Sequence, residues 1–265
     1  MDGIDEGGFI TSGKVFKKTS HVLVRGKGSV TANFTISRGK LKHVISGIVV
    51  HQTNTASADK TFTGYTGANS NGAHFLIDLN GTVYQTASLF EQTNHVGAIR
   101  ARCLRAMTCP KVELDAGLKD WNVRSWVNGG MMKSHNNEKG KSAVVERFPK
   151  NEDSIGIELV GLSLKYDKQL KNVLEDQAVD VADERVVYNP LTAEQLTSLE
   201  WLLRFLSEKL KVPFSEVFRH PEIAFKIPSE AITAKDLIEK LKKEEAETKV
   251  KKEETKTNNQ PGAGQ

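Results

Sequence analysis

Three polar residues at separate points of the chain have the types and settings of a metal-dependent hydrolytic site. His51 ends the apolar run GIVVHQ, His220 lies in the proline-interrupted segment FRHPEIAFKIPSEA, and Glu230 follows later in that segment. The C-terminal end of a central strand faces the cleft in which α/β proteins bind ligands, and a loop can supply the other two groups. Two histidines and a carboxylate suit zinc and leave one position open for water, as hydrolysis requires.

Each of these residues also has an ordinary structural interpretation. His51 can be a hydrogen-bonded histidine at a strand end, and His220 can lie in a surface turn. Glu230 precedes the segment TAKDLIEKL, and a carboxylate at a helix N-terminus is common because it complements the helix dipole. Residue types alone do not exclude these alternatives. If Glu230 is a helix-start carboxylate, Glu222 or a water would be the third ligand.

Glu158 is a fourth polar residue of interest, because it lies within the apolar segment SIGIELV. Strand alternation places its side chain on the face of Gly156 and Val160, opposite Ile157. A carboxylate there is costly unless it is paired or exposed in a cleft, and it tends to hold its proton tightly. Such a group suits general acid and base catalysis on a metal-bound water, the alternative being a glutamate at a wetted sheet edge.

The elements that must position these residues alternate between strands and helices. Apolar, β-branched runs predict core strands over residues 43–52, 73–79 and 154–161, and Asn80-Gly81 predicts a hairpin turn into TVYQ. A leucine-rich helix is predicted over 193–211, with Thr192 and Gln195 as a capping-box pair at its start, and a shorter helix begins near Thr233. This order predicts the α/β class, with a central mixed β-sheet flanked by helices.

Composition divides the chain into three parts. Residues 1–40 are an N-terminal extension with a predicted β-hairpin, and 41–243 are a single domain that contains the candidate site. The charged segment 244–265 has too little apolar surface to bury, so it is predicted to be a disordered tail. Residues 100–151 are a long polar stretch of the kind that forms functional surface segments.

Charge and hydropathy exclude several function classes. The net charge of +4 is mild and shows no concentrated basic module, so nucleic-acid binding is not expected. No run approaches the ~18–20 apolar residues of a membrane span, and the acidic, glycine-rich start MDGIDEGGF lacks the pattern of a Sec signal peptide. The two cysteines, Cys103 and Cys109, are either reduced thiols or a small disulfide loop formed in an oxidising compartment.

Several segments together carry a family resemblance. They are IVVHQT, GAHFLIDLNGTVYQ, TNHVG, NEDSIGIELVG and RHPEIAFKIPSEA, in this order across residues 43–235. In this combination the sequence resembles the N-acetylmuramoyl-L-alanine amidases, a family that includes peptidoglycan-recognition proteins and amidase-type phage lysozymes.

The resemblance implies a role for each matching residue. The two histidine ligands of the family's zinc ion fall on His51 and His220, and its third ligand falls on Glu230. The catalytic carboxylate of the SIGIE strand falls on Glu158. His95, in TNHVG, matches a residue on the substrate side of the cleft.

Two departures from the family pattern concern helper residues. Members often have a lysine two residues before the third ligand, where this chain has Pro228, and Lys226 is the expected replacement for oxyanion stabilisation. Some members have a tyrosine where this chain has Ala73, so acid and base catalysis is expected to rest on the carboxylate of the SIGIE strand. Trp121 and Trp126 are expected to form a wall of the substrate groove.

The implied function is zinc-dependent hydrolysis of the amide between the lactyl group of N-acetylmuramic acid and L-alanine, in peptidoglycan or muropeptides. The extension, the polar stretch, the cysteines and the tail favour a lytic, wall-directed enzyme, with an immunity protein as a partner. Such an enzyme would be made in the cytoplasm and exported by a route other than Sec. A cytosolic muropeptide-recycling amidase and a non-catalytic peptidoglycan-binding module are the alternatives.

Overall fold

Apolar and β-branched residues build a mixed sheet at the centre of the molecule. The computed structural model describes residues 3–11, 24–25, 36–42, 44–65, 71–97, 99, 102–106, 108, 111, 148–163, 188–224, 226 and 229–258. Over these residues the strands are β1 (Val24–Arg25), β2 (Gly47–Gln52), β3 (Phe75–Ile77), β4 (Val83–Gln85), β5 (Ser154–Leu159) and β6 (Val217–Arg219). Their order in the sheet is β1-β4-β3-β5-β2-β6. β3 and β4 pair antiparallel, and every other neighbouring pair among them is parallel.

The predicted α/β class with a central mixed sheet is therefore confirmed. The predicted strands are present with shorter bounds, and Gly81 in the β3–β4 turn has a φ of 80°, a conformation that glycine adopts without strain. β2 lies between β5 and β6, and all six of its residues are buried. A strand that is covered on both faces requires a continuous apolar run, which GIVV supplies.

Helices cover both faces of this sheet. They are α1 (Ala58–Gly64), α2 (Arg102–Ala106), α3 (Ala193–Leu210), α4 (His220–Ile223) and α5 (Lys235–Asn258), with 3-10 turns at Phe214–Glu216 and Ile232–Ala234. None of the helices in the described part of the chain is long and apolar enough to cross a membrane.

α3 packs on one face of the sheet and is fixed at its N-terminus by the predicted capping box. Thr192 Oγ1 accepts a hydrogen bond from the Gln195 amide at 3.0 Å, and Gln195 Oε1 accepts one from the Thr192 amide at 3.2 Å. The core on this face joins Leu199, Leu202 and Leu203 to the alternate residues of β2 and β5 that point towards α3. The opposite face of those strands is left to carry polar groups.

The N-terminal segment of residues 3–11 packs on the same core. Ile10 is buried in it, and its amide donates to Gln85 Oε1 at 2.9 Å. Gln85 Nε2 donates in return to the carbonyl of Gly8. Most of the predicted hairpin of the extension lies outside the described residues, and Val24–Arg25 from it pairs in parallel with β4.

The C-terminal helix is longer than the sequence predicted. α5 continues to Asn258, so residues 244–258 are helical where a disordered tail was expected. The helix starts on the core, where Ile238 and Leu241 are buried. Its exposed continuation consists mainly of strong helix formers and carries lysine–glutamate pairs at i,i+4 spacing, such as Glu245 with Lys249. Disorder had been inferred from low apolar content, which does not by itself prevent a helix that is already nucleated.

Candidate functional site

The site is built on the polar face of β2 and β5. His51 and Glu158 are register partners on these parallel strands, so their side chains leave the sheet side by side. His220 begins α4 directly after β6, the other neighbour of β2. The three residues therefore come from three adjacent strands, whose carboxyl ends meet at one edge of the sheet. Ligand sites of α/β proteins form at this edge.

Three side-chain atoms converge there. His51 Nδ1 and His220 Nδ1 are 2.8 Å apart, and Glu230 Oε1 is 3.0 Å from His220 Nδ1 and 3.4 Å from His51 Nδ1. These residues form a group that could hold a metal ion. In a tetrahedral zinc site with metal–ligand bonds of about 2.0–2.1 Å, two ligand atoms are about 3.3 Å apart, which is close to these separations. The donor set and its spacing thus fit zinc.

The protonation states of the group also suit a cation. Burial lowers the pKa of His220 to about 4, with the nearby carboxylate acting in the opposite direction, so the ring is neutral near pH 7. Burial alone would raise the pKa of Glu230, but His220 and His51 outweigh it and hold that pKa well below its usual range. A neutral imidazole and an ionised carboxylate are the forms that bind metals.

An arginine fixes the loop that carries Glu230. Arg219 Nε donates to Glu222 Oε1 at 3.2 Å, and its Nη1 donates to the Glu230 carbonyl at 3.4 Å. Glu222 also accepts from the Arg219 amide at 2.8 Å. Glu222, the alternative third ligand, is therefore engaged with Arg219, whereas Glu230 faces the two histidines.

Glu158 has the environment of a proton acceptor. Burial raises its pKa to about 7, although the neighbouring His51 acts against this shift. Its Oε2 atom is enclosed and has no hydrogen-bond partner within the described part of the chain. A carboxylate that titrates near neutral pH, beside residues that could bind a metal ion, can both accept and return a proton.

Two other groups line the same cleft. Lys226 is half-buried there, and its charge acts on both Glu158 and His220. Tyr65, at the end of α1, was not identified from the sequence, because no local pattern distinguishes it from a core aromatic residue. Burial and the charge of Glu158 raise its pKa, and the nearby backbone of Ala73 acts in the opposite direction.

The cleft has a volume of about 830 Å³, and its lining is both polar and apolar. Besides the groups above, its walls include Gln52, Thr53, Thr55, Lys60, Asn71, Asn94, His95 and Asn151. A cleft of this size accommodates a ligand larger than a single sugar or amino acid. Trp121 and Trp126, the predicted groove wall, lie outside the described residues.

Not every conspicuous histidine belongs to the site. His74 is fully buried and bonded on both ring nitrogens, by Nε2 to the Glu91 carbonyl and by Nδ1, which accepts from the Gly156 amide. Burial lowers its pKa to about 4, so it is a neutral structural residue. Cys103 is disulfide-bonded, and Cys109, the other cysteine of the chain, lies outside the described residues.

Comparison with known proteins identifies the family. The profile of the N-acetylmuramoyl-L-alanine amidases matches residues 41–235, which is most of the chain. The chain belongs to the N-acetylmuramoyl-L-alanine amidase family, as its sequence segments predicted, and the enzyme class is that of an amidase acting on peptidoglycan. No curated protein sequence gives a significant match.

Solved structures similar to this chain include an endolysin amidase, LysCS from Clostridium intestinale, with 16% identity, 76% and 82% of the two chains covered and a TM-score of 0.37. Another is AmpDh3 from Pseudomonas aeruginosa in complex with an anhydromuramic pentapeptide, with 18% identity, 73% and 56% coverage and a TM-score of 0.38. A third is the bumblebee recognition protein PGRP-SA, with 12% identity, 75% and 83% coverage and a TM-score of 0.39.

Proposed function

We propose that this protein is a zinc-dependent amidase that hydrolyses the bond between the lactyl group of N-acetylmuramic acid and L-alanine, and that it acts on the cell wall as a lytic enzyme. One observation carries the proposal. The His51, His220 and Glu230 ligand atoms meet within 3.4 Å of one another, on the same sheet face as Glu158. This arrangement combines a metal site with a proton acceptor in one cleft.

The residues of the chain divide the chemistry between them. His51, His220 and Glu230 would hold Zn²⁺, which when bound supplies Lewis acidity for activating water and polarising the carbonyl. Glu158 accepts a proton from the attacking water and then returns it to the departing L-alanine nitrogen. This return is required because an amine anion is a poor leaving group.

The ammonium group of Lys226 and the phenol of Tyr65 complete the proposed mechanism. Lys226 stabilises the negative charge that develops on the lactyl oxygen, a contribution that a preorganised cation makes in a partly dehydrated site. Tyr65 provides a second hydrogen-bonding group beside Glu158, in place of the tyrosine that some relatives have at the position of Ala73. His95, with Trp121 and Trp126, remains proposed as part of the substrate side of the cleft.

The disulfide at Cys103 favours a wall-directed role over cytosolic recycling. Disulfides persist in oxidising compartments such as the periplasm or the cell exterior, and are rare in reduced cytosol. We therefore propose that the enzyme acts outside the reducing cytosol, on the wall of a target cell. An immunity protein that protects a producer with the same wall is the partner that we propose for such an enzyme.

Zinc dependence is tested by elemental analysis together with activity. We expect one zinc per chain in the wild type, and loss of both zinc and activity in His51→Ala and Glu230→Ala. Glu222→Gln is the matched control, because it alters a nearby carboxylate that bonds to Arg219, and it should keep the zinc. Unchanged activity of His51→Ala would refute the mechanism. Substrate binding without turnover by the zinc-loaded wild type would indicate a binding module.

The bond and the substrate size are tested by mass spectrometry of digested wall. Intact peptidoglycan should yield free stem peptides and unsubstituted glycan. Forced export to the periplasm of a bacterial host should cause lysis, whereas the His51→Ala variant should not. Turnover of anhydro-muropeptides alone, with no lysis, would instead support the recycling role.

A further inference from the structure

The second ring nitrogen of His51 is held by a hydrogen-bonded chain that starts at a backbone carbonyl. Ser154 Oγ lies 2.6 Å from the Lys150 carbonyl, and His95 Nε2 lies 3.1 Å from Ser154 Oγ. His95 Nδ1 in turn lies 3.0 Å from His51 Nε2. The chain ends on the nitrogen of His51 that points away from the proposed metal group.

Donor and acceptor roles along this chain have a single consistent assignment for neutral rings. A carbonyl can only accept, so the one hydroxyl hydrogen of Ser154 is given to Lys150. Ser154 Oγ is then free to accept, and His95 must carry its proton on Nε2. His95 Nδ1 consequently accepts from His51, whose proton must be on Nε2. His51 Nδ1 is thereby left with a bare lone pair.

The His95 ring is also held in place by its surroundings. A Cβ at Gly156 would lie 2.6 Å from Cγ of His95, so the glycine of β5 provides the space that the ring occupies. The Asn151 side chain accepts from the amides of His95 and Val96 at 3.0 and 2.7 Å, and donates to the Val96 carbonyl at 2.9 Å. These bonds fix the backbone from which the ring projects.

We propose that His95 is a positioning residue for the metal site. Ser154 fixes the ring of His95, and His95 in turn fixes the tautomer and the ring orientation of His51. This inference rests on the proposed function, because it takes His51 Nδ1 as a zinc ligand. Partners of this kind matter because a ligand ring that is free to rotate or to change tautomer binds metal less tightly. In contrast, Nε2 of His220 has no hydrogen-bond partner among the described residues, so the support applies to His51.

The test is the zinc affinity of three variants, measured by competition with a chromophoric chelator. His95→Ala should bind zinc about 10–100-fold more weakly than the wild type, the range found for such partners. His95→Asn keeps an acceptor near the position of Nδ1 and should recover part of the loss. Asn94→Ala is the matched control, since Asn94 lines the same cleft without joining the chain, and its zinc affinity should be unchanged.

A second readout separates positioning from general structural damage. In nitrogen-15 spectra of the zinc-loaded protein, His51 should carry a slowly exchanging proton on Nε2. This signal should be lost to fast exchange in His95→Ala and return in His95→Asn. If His95→Ala does not fold, Ser154→Ala removes the acceptor of His95 Nε2 and should weaken zinc binding in the same direction.

The two proposals fail in different ways. A wild type that binds no zinc would refute the proposed function, whatever the variants do. A zinc-loaded, active wild type with equal zinc affinity in His95→Ala would refute only the positioning role. A raised KM at unchanged zinc affinity would assign His95 to the substrate instead.

Discussion

At the scale of single residues, Glu158 combines two properties that are usually in conflict. It contributes a carboxylate to the face of β5 that lines the cleft, and its neighbours Ile157 and Leu159 are fully buried on the other face. Enclosure in the cleft raises its pKa to about 7. The same shift that prepares the group for proton transfer therefore costs folding free energy whenever the group is ionised.

We predict that Glu158→Gln lowers kcat by about 10²–10⁴-fold, the usual contribution of a general acid and base. Zinc content should not change, because Glu158 is not in the ligand group. Loss of zinc together with activity would show that the residue acts on the metal site instead.

The same variant should alter the pH dependence of stability in metal-free protein. The folded-state pKa of about 7 exceeds the ordinary value of 4.5, so the folded state holds this proton more tightly and wild-type stability falls as pH rises between those values. Glu158→Gln should therefore be the more stable protein by about 3 kcal/mol at pH 8, and the difference should largely vanish below about pH 4.5. Urea unfolding in EDTA measures this, with the exposed Glu208→Gln as control. A difference that does not depend on pH would contradict the assignment.

Tyr65 gives a second prediction at this scale. Because its phenol lies beside the Ala73 backbone and the charge of Glu158, Tyr65→Phe should lower kcat by about tenfold while leaving zinc content unchanged. The steady-state rate on a defined muropeptide measures the effect. A change in KM alone would mean that the hydroxyl binds substrate without aiding the chemistry.

At the scale of elements, the start of α3 connects the helix to the strand ends. Gln195 is fully buried, and its Nε2 donates to the carbonyls of Val160 and Ile77 at 2.8 and 3.3 Å. Thr192 Oγ1 donates to the Leu79 carbonyl at 2.7 Å. The capping box thus satisfies carbonyls where β3 and β5 end, besides capping the helix.

We predict that Gln195→Ala lowers the free energy of unfolding by about 2–3 kcal/mol, since it removes the side-chain donor to the Val160 carbonyl and opens a small cavity. Thr192→Ala should cost about 1 kcal/mol, the typical value for a lost cap. Glu208→Ala, on the exposed side of the same helix, should change stability by less than about 0.5 kcal/mol. Equal effects for all three variants would mean that the contacts to the strands contribute nothing.

At the scale of the whole molecule, the two ends of the chain relate to the core in opposite ways. Residues 3–11 place Ile10 in the main core and bond both polar atoms of the Gln85 amide. The helical residues 246–250 are exposed, although they continue α5 without a break.

Truncation should reveal this difference. Removal of residues 2–11 should cost about 2–5 kcal/mol, from the lost burial of an isoleucine and from an unsatisfied buried amide. Removal of residues 246–265 should leave thermal stability nearly unchanged. If the first truncation does not fold, Ile10→Ala measures the apolar part alone, at about 2 kcal/mol or more. A neutral Ile10→Ala would contradict the proposed packing.

Much of the fold was predictable because its determinants are local. The apolar run of β2, the Asn80-Gly81 turn and the Thr192 capping box each depend on residues within one or two turns of chain. The helical continuation of α5 was missed, because composition reports how much surface can be buried and not whether a helix already started on the core will extend.

The sequence by itself determined which residue types are available for the proposed site and, through the order of its segments, the family. Only the tertiary structure decided how they meet, because His51 and His220 are 169 residues apart and come within 2.8 Å through the parallel pairing of β2 with β6. It also decided between Glu222 and Glu230 as the carboxylate facing the histidines, and it brought Tyr65 to the cleft. Strand register and loop closure set these distances, and neither is encoded in the spacing of residues along the chain.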